Sequence, residues 1–283
     1  YVRGEAVGLE PIFRGLLLVS DFDGTLAAHG SYISEKNDAA IRRFIELGGR
    51  FTISTGRAPG SICERIGQIP VNAPLLCSNG STFFERDRGK VLWCHPIETG
   101  LIHRIVREVY EQFPGTAIEI FENDTLYLLR RNSYSDRHTE METAVIVPCT
   151  PERLPQVITK VIFVDENAAL QKVRAHLVRQ GHEIEHVFTY VSYLELMKRG
   201  VDKGSGLREI AEYLGIEREK TAAVGDYYND IPMLRQAALG AAVANALPEV
   251  REAADVVVCS NAEGAVAEVI AELERRVRSG LLG

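Results

Sequence analysis

The chain has 283 residues, of which 46% are hydrophobic and 25% charged, the balance of a water-soluble globular protein. Its formal charge of −7 argues against general affinity for nucleic acid or for an anionic membrane. At this length two domains, or one domain carrying a large insertion, are expected.

Strand and helix patterns alternate from the N-terminal side. An apolar run at 16–20 reads as a buried strand, and 35–47 as an amphipathic helix closed by Gly48-Gly49. A strand at 51–54, a helix at 61–69 and a third strand at 74–78 complete βαβ units, which build a parallel sheet. After Asn79-Gly80 the rhythm changes. Segments 82–85 and 91–95 flank Arg86-Asp87-Arg88-Gly89 and read as an antiparallel hairpin. A helix over 98–112 and strands at 117–121 and 125–129 follow; 132–147 has no clear period and reads as a loop. Next come a strand at 160–165, a helix at 169–179, and strands at 183–189 and 193–197. The parallel pattern resumes with a helix at 203–214, a strand at 221–224, a helix at 231–237, short strands near 240–243 and 255–258, and a helix from Gly264. The expected fold class is α/β: a doubly wound parallel core from residues 1–81 and 196–283, split by an inserted α+β segment, 82–195.

Cys63, Cys77, Cys94, Cys149 and Cys259 are scattered, odd in number and without a CxxC pair, which suits buried free thiols in a reducing cytoplasm. No apolar stretch reaches membrane-spanning length, and Tyr1-Val2-Arg3-Gly4-Glu5 lacks a signal-peptide pattern. His29, His95, His138 and His186 show no metal-ligand spacing.

The most informative motif is Asp21-Phe22-Asp23-Gly24-Thr25, directly after the first strand. In an open α/β sheet the carboxyl ends of the strands are where ligands bind. Two carboxylates one residue apart are costly neighbours unless a cation or phosphoryl group uses them. Asp, Gly and Thr are also ordinary turn formers. The motif gains weight from Thr55-Gly56-Arg57, Lys203 and Gly225-Asp226-Tyr227-Tyr228-Asn229-Asp230, which follow in that order. Together these motifs resemble the haloacid dehalogenase superfamily of phosphotransferases, and within it the Cof-type (subfamily IIB) phosphatases, over about residues 15–270.

The resemblance implies a Rossmann-like core with a large cap at 82–195 that selects the substrate. It implies Asp21 as the nucleophile that forms an aspartyl phosphate, and Asp23 as the acid that protonates the leaving oxygen and then activates water. Members that dehalogenate lack this second Asp and the transport ATPases carry Thr there, so Asp23 favours a phosphatase or phosphomutase. Mg²⁺ is implied, held by Asp21, the Asp23 carbonyl and Asp226, with Asp230 a ligand directly or through water. Asp230 also suits an N-cap. Lys203 would pair with the nucleophile and a phosphoryl oxygen. The Thr55 hydroxyl and Gly56 N–H would hold the phosphate beside a helix start near Pro59, and Asn229 would position the phosphate or Asp226. Arg57 reads as a phosphate contact or, preferred, an ion pair bracing the acidic loops, Asn79-Gly80 as a turn or a loop near the cap hinge, and Tyr227 and Tyr228 as variable positions near substrate.

The expected partner is a small phosphorylated metabolite, a sugar phosphate or a phosphorylated cofactor, with neither nucleic acid nor membrane involved. The same scaffold also suits a phosphomutase or glycosyl-phosphate hydrolase. A signalling receiver module shares acceptor Asp, Thr and Lys but is much shorter and has no use for Asp23. No glycine-rich fingerprint follows the first strand, which disfavours a dinucleotide-binding oxidoreductase.

Overall fold

A computed structural model describes residues 10–28, 30, 32–141 and 144–281, so the N-terminal pattern at Tyr1–Glu5 and His29 lie outside the described residues. Strand β1 (Leu17–Ser20) is buried at every position, which accounts for its unbroken apolar run. A two-stranded ribbon, β2 (Ala27–Ala28) and β3 (Tyr32–Ile33), leads into α1 (Glu35–Glu46), whose first turn is capped by the Ser34 hydroxyl. Then come β4 (Arg50–Ile53), α2 (Pro59–Arg65), β5 (Leu75–Cys77), β6 (Thr82–Glu85) and β7 (Lys90–Cys94). The middle of the chain forms α3 (Thr99–Gln112), β8 (Ala117–Glu122), β9 (Thr125–Arg130), α4 (Ser133–Met141), β10 (Val145–Pro148), β11 (Lys160–Val164), α5 (Asn167–Gln180), β12 (Ile184–Tyr190) and β13 (Tyr193–Lys198). The last part supplies α6 (Lys203–Leu214), β14 (Thr221–Gly225), α7 (Ile231–Gln236), β15 (Leu239–Val243), α8 (Pro248–Ala253), β16 (Val256–Val258) and α9 (Ala265–Arg278).

The core sheet has the order β16-β15-β14-β1-β4, with every pairing parallel. Its centre joins strands from opposite ends of the chain, Ser20 lying opposite Val224. That register sets the turn after β1 beside the turn after β14. The second sheet, β10-β9-β8-β11-β13-β12, is antiparallel except at its β10–β9 edge. One of its faces packs Ile118, Ile120, Val161 and Phe163 against apolar residues of α3 and α5. The opposite face carries Ala117, Phe121, Ile162 and Val164, which cluster with Ala58 of the core.

Three local expectations differ from what is observed. β5 was expected within the parallel sheet; it touches β4 through a single parallel bridge, Ser54 with Leu76, and pairs instead with the β6–β7 hairpin. That hairpin therefore extends the core: Phe83 and Phe84 belong to the core's apolar cluster and Trp93 packs against it. The second cluster runs from Ile97 to Leu196, so packing divides the chain near residues 96 and 198, whereas 82–195 was the expected insertion. Third, the aperiodic stretch 132–147 contains α4 and β10. Its helix lacks an apolar stripe because it is held by polar contacts. The Asn132 side chain accepts from the Tyr134 and Ser135 N–H groups at 3.0 and 2.9 Å, and His138 meets Glu119 at 2.6 Å. All five thiols are free, with Cys77 buried and the other four half-buried.

Helices α1 and α9 bring the two ends of the chain together. Arg43 and Arg278 converge on Glu274 at 2.6 and 2.8 Å. The hydrogen bonds from Arg43 and then Arg278 lower the Glu274 pKa from 4.5 to about 2. A depressed carboxyl stabilises the fold above its unfolded value and loses that contribution as pH falls toward the folded one. Replacing Glu274 by Gln should lower stability by about 0.5–1 kcal/mol at neutral pH, the scale of a partly exposed pair. Thermal unfolding recorded from pH 7 down to pH 3 should show the gap between variant and wild type closing below about pH 4.5. A gap that stays constant across that range would count against the ion pair as its source.

Candidate active site

The first turn after β1 continues the ladder by one residue, since the Asp21 N–H donates to the Val224 carbonyl at 2.9 Å. The Asp21 carboxylate is thereby fixed at the sheet's centre, 6% exposed. Lys203 opens α6 beneath a capping box in which Asp202 accepts from the Ser205 N–H. Its ammonium, 1% exposed, donates to Asp21 Oδ1 at 2.5 Å and to Asp230 Oδ1 at 2.7 Å. The other oxygen of Asp230 accepts from the Asp226 and Tyr227 N–H groups at 2.9 and 3.0 Å. Protein donors therefore engage both oxygens of Asp230, which ties Lys203 to the turn after β14. Asp226 accepts from the Thr25 hydroxyl at 2.7 Å.

Ligand oxygens of Asp21, Asp226 and Asp230 lie within 4.8 Å of one another. Three carboxylates against one ammonium leave the cluster short of positive charge. Burial, the largest cause, raises the Asp21 pKa well above the ordinary carboxylate value; Lys203 opposes this, and the charges of Asp230 and Asp226 add to it. Asp226 is pushed up to about 6 by burial and then by Asp230, against the opposing Thr25 hydroxyl and Lys203. Burial would lower the Lys203 pKa, yet Asp21 and Asp230 carry it above the ordinary lysine value. An all-oxygen set with a charge deficit fits a small hard divalent cation such as Mg²⁺. The backbone keeps room beside it. Gly24 has φ +85°, and a Cβ there would lie 2.5 Å from Asp226 Oδ2.

Asp23 stands apart from this cluster. Its half-exposed carboxylate is gripped on both oxygens by Arg57, from Nε at 2.7 Å and Nη2 at 2.8 Å. Arg57 thus makes the ion pair expected of it. Thr55 is buried, and its hydroxyl oxygen accepts from the Arg57 N–H at 3.1 Å. The N-terminus of α2 is partly occupied, because the Gly60 N–H donates to Asp124 in the β8–β9 turn. Asn229 donates to the Asn79 side chain at 3.0 Å rather than to Asp226. Asn79 sits in the left-handed region at φ 55°, buried, with its N–H on the Thr55 carbonyl. Tyr227 and Tyr228 form an edge-on ring pair at 5.2 Å.

Residues 160 and 195 received no site role from the sequence, though a signal was present. Each is a charge set against apolar strand residues, Lys160 opening Lys160-Val-Ile-Phe-Val and Glu195 within Leu194-Glu195-Leu196-Met197. Both side chains are buried, and buried charges are rare without partners. Lys160 donates to the Gly56 carbonyl at 2.7 Å, and Glu195 accepts from Asn79 Nδ2 at 2.7 Å.

Comparison with known proteins agrees with this geometry. The model of the haloacid dehalogenase-like hydrolase family matches residues 18–270. A 5-amino-6-(5-phospho-D-ribitylamino)uracil phosphatase of Bacillus subtilis is 27% identical over 90% of this chain and 94% of its own length. An HMP-PP phosphatase of Citrobacter koseri is 24% identical over 82% of this chain and 85% of its own. Among solved structures, a sugar phosphatase of subclass IIB superposes with a TM-score of 0.75 at 21% identity, over 91% of this chain and 98% of that one. The chain belongs to the haloacid dehalogenase-like hydrolases, in their Cof-type branch.

Proposed function

We propose that this enzyme hydrolyses the phosphate monoester of a small metabolite, with Asp21 as the acceptor of the phosphoryl group. One observation carries the reading above the others: Asp21, Lys203, Asp226 and Asp230 meet in a single buried cluster at the carboxyl ends of β1 and β14. The names of the two phosphatase relatives support the substrate class, since both denote small phosphorylated metabolites.

In the proposed reaction an Asp21 carboxylate oxygen attacks phosphorus and the bond to the ester oxygen breaks. The leaving oxygen takes a proton from Asp23. Water, deprotonated by Asp23, then attacks the aspartyl phosphate and frees Asp21. Lys203 counters charge on Asp21 and on a phosphoryl oxygen, while the Thr55 hydroxyl and Gly56 N–H hold the remaining oxygens. Asp23 must turn away from Arg57 to reach the leaving oxygen, so proton transfer follows rearrangement of that half-exposed pair. Asp21 and Asp226 would hold Mg²⁺, with the Asp23 carbonyl; Asp230, bonded to three protein donors, would act through water and through Lys203. Bound Mg²⁺ would neutralise charge on the phosphoryl oxygens and keep Asp21 ionised.

Replacing Asp21 by Asn should abolish turnover by more than about 10³-fold, because an amide cannot accept the phosphoryl group. The fold should survive, since the change removes a buried charge that burial disfavours. Phosphate release measured across a panel of phosphorylated metabolites, beside a melting curve, tests both statements. Retention of several per cent of the wild-type rate would sink the assignment of Asp21.

Chelation should stop turnover and added Mg²⁺ should restore it, with Ca²⁺ inhibiting because it takes more oxygen ligands at longer distances. Asp226→Asn should raise the Mg²⁺ concentration for half-maximal rate at least about tenfold. Full activity in chelator would exclude the metal from the reaction.

A further inference from the structure

The cap side of the molecule reaches into the loop expected to hold phosphate. Lys160, 3% exposed on β11, stretches past the Phe121 ring, 4.4 Å from its ammonium, to the Gly56 carbonyl. That carbonyl belongs to the Gly56–Arg57 peptide, and the same peptide's N–H donates to the Thr55 hydroxyl oxygen. A peptide is planar, so holding its carbonyl also fixes the direction of its N–H. The Arg57 N–H occupies one of the two lone pairs of the Thr55 hydroxyl, which keeps its own hydrogen to donate. The side chain leaving that peptide, Arg57, grips Asp23. One cap lysine therefore orients the links that run to Thr55, Gly56 and Asp23.

Glu195, 4% exposed on β13, completes the second arm. It lies 3.6 Å from the Lys160 ammonium, accepts from the Thr189 hydroxyl at 2.8 Å, and accepts from Asn79 at 2.7 Å. Asn79 in turn bonds the Thr55 carbonyl through its N–H and Asn229 through its side chain. Burying this ion pair is costly, and an apolar pair of similar volume would serve stability at least as well. Beyond the Thr189 hydroxyl of its own sheet, the pair nevertheless ends on polar atoms of the core.

We propose that Lys160 and Glu195 are positioning residues of the hydrolysis, clamping the Thr55–Arg57 peptides and Asn79 so that the phosphate pocket is formed only while the cap is seated on it. The proposal rests on the phosphatase reading given above. It makes the cap a contributor to phosphoryl binding for every ester, whatever the leaving group.

The test uses the full chain with Mg²⁺ and two variants, Lys160→Met and the isosteric Glu195→Gln. kcat and KM are measured on a panel of phosphate esters that includes p-nitrophenyl phosphate. Inorganic phosphate binding is measured separately by calorimetry. We expect kcat/KM to fall by a common factor of roughly 10- to 100-fold in Lys160→Met, the scale of a lost charge-assisted hydrogen bond. Phosphate affinity should weaken in parallel, and Glu195→Gln should show the same pattern at smaller size. If Lys160→Met does not fold, Glu195→Gln decides. Losses that differ from ester to ester, or phosphate affinity unchanged in folded variants, would overturn the clamp. Absence of both turnover and phosphate binding in the unaltered chain would instead overturn the phosphatase reading; weakened phosphate binding without any turnover would leave the clamp standing.

Discussion

Lys203 places an ammonium between the carboxylates of Asp21 and Asp230 with almost no access to water. Removing a charge from water costs several kcal/mol unless partners replace the lost hydration, so this contact must be assembled as a unit. It draws together three stretches of chain: the turn after β1, the start of α6 and the turn after β14. Glycines make the approach possible. A Cβ at Gly225 would lie 2.4 Å from the Asp230 Cβ, and one at Gly204 would lie 2.6 Å from the Pro232 carbonyl oxygen. The cluster remains acidic even with Lys203 in place. On the proposed reading, a divalent cation and a phosphoryl group would complete it.

Much of this was legible in the sequence because the responsible signals are local. The apolar run of β1 announces a strand buried on both faces, and Gly48-Gly49 announces the end of α1. Alternation of such segments implies a parallel sheet, and the acidic motifs then fall at strand ends. Asp21, Asp226 and Lys203 were singled out because their motifs resemble those of the family and each stands at the junction of two elements; the structure brings the three side chains together.

What escaped depends on pairing between distant segments. The hairpin β6–β7 looks like the opening of an insertion by its change of rhythm, yet Phe83 and Phe84 belong to the core's apolar cluster. Hydrophobic alternation says which face of a strand is buried but not which sheet receives it. Helix α4 escaped for another reason: Asn132 and the His138–Glu119 contact hold it, and neither leaves a 3.6-residue apolar period. Asp230 suits a metal, a helix cap or both from its spacing. The geometry adds what the spacing lacks: both of its oxygens meet protein donors, none of them a side-chain cap bond to α7, and it stands beside Asp21 and Asp226.

A division in which the core performs chemistry and the inserted segment selects substrate follows naturally from motifs that all lie outside residues 82–195. Physical contact cuts across that division. Lys160 donates to the Gly56 carbonyl, while Glu195 and Asp124 accept from the Asn79 side chain and the Gly60 N–H, all three core partners lying in the segments just after β4 and β5. The loop 55–60 has little regular structure of its own, and its polar backbone needs partners wherever water is excluded. Ala58 packs there against Ala117, Phe121, Ile162 and Val164 of the cap, so the cap is also a near source of those partners. A segment packed over that loop inherits the task of satisfying it, and on the proposed reading selection and chemistry are coupled through the same few hydrogen bonds.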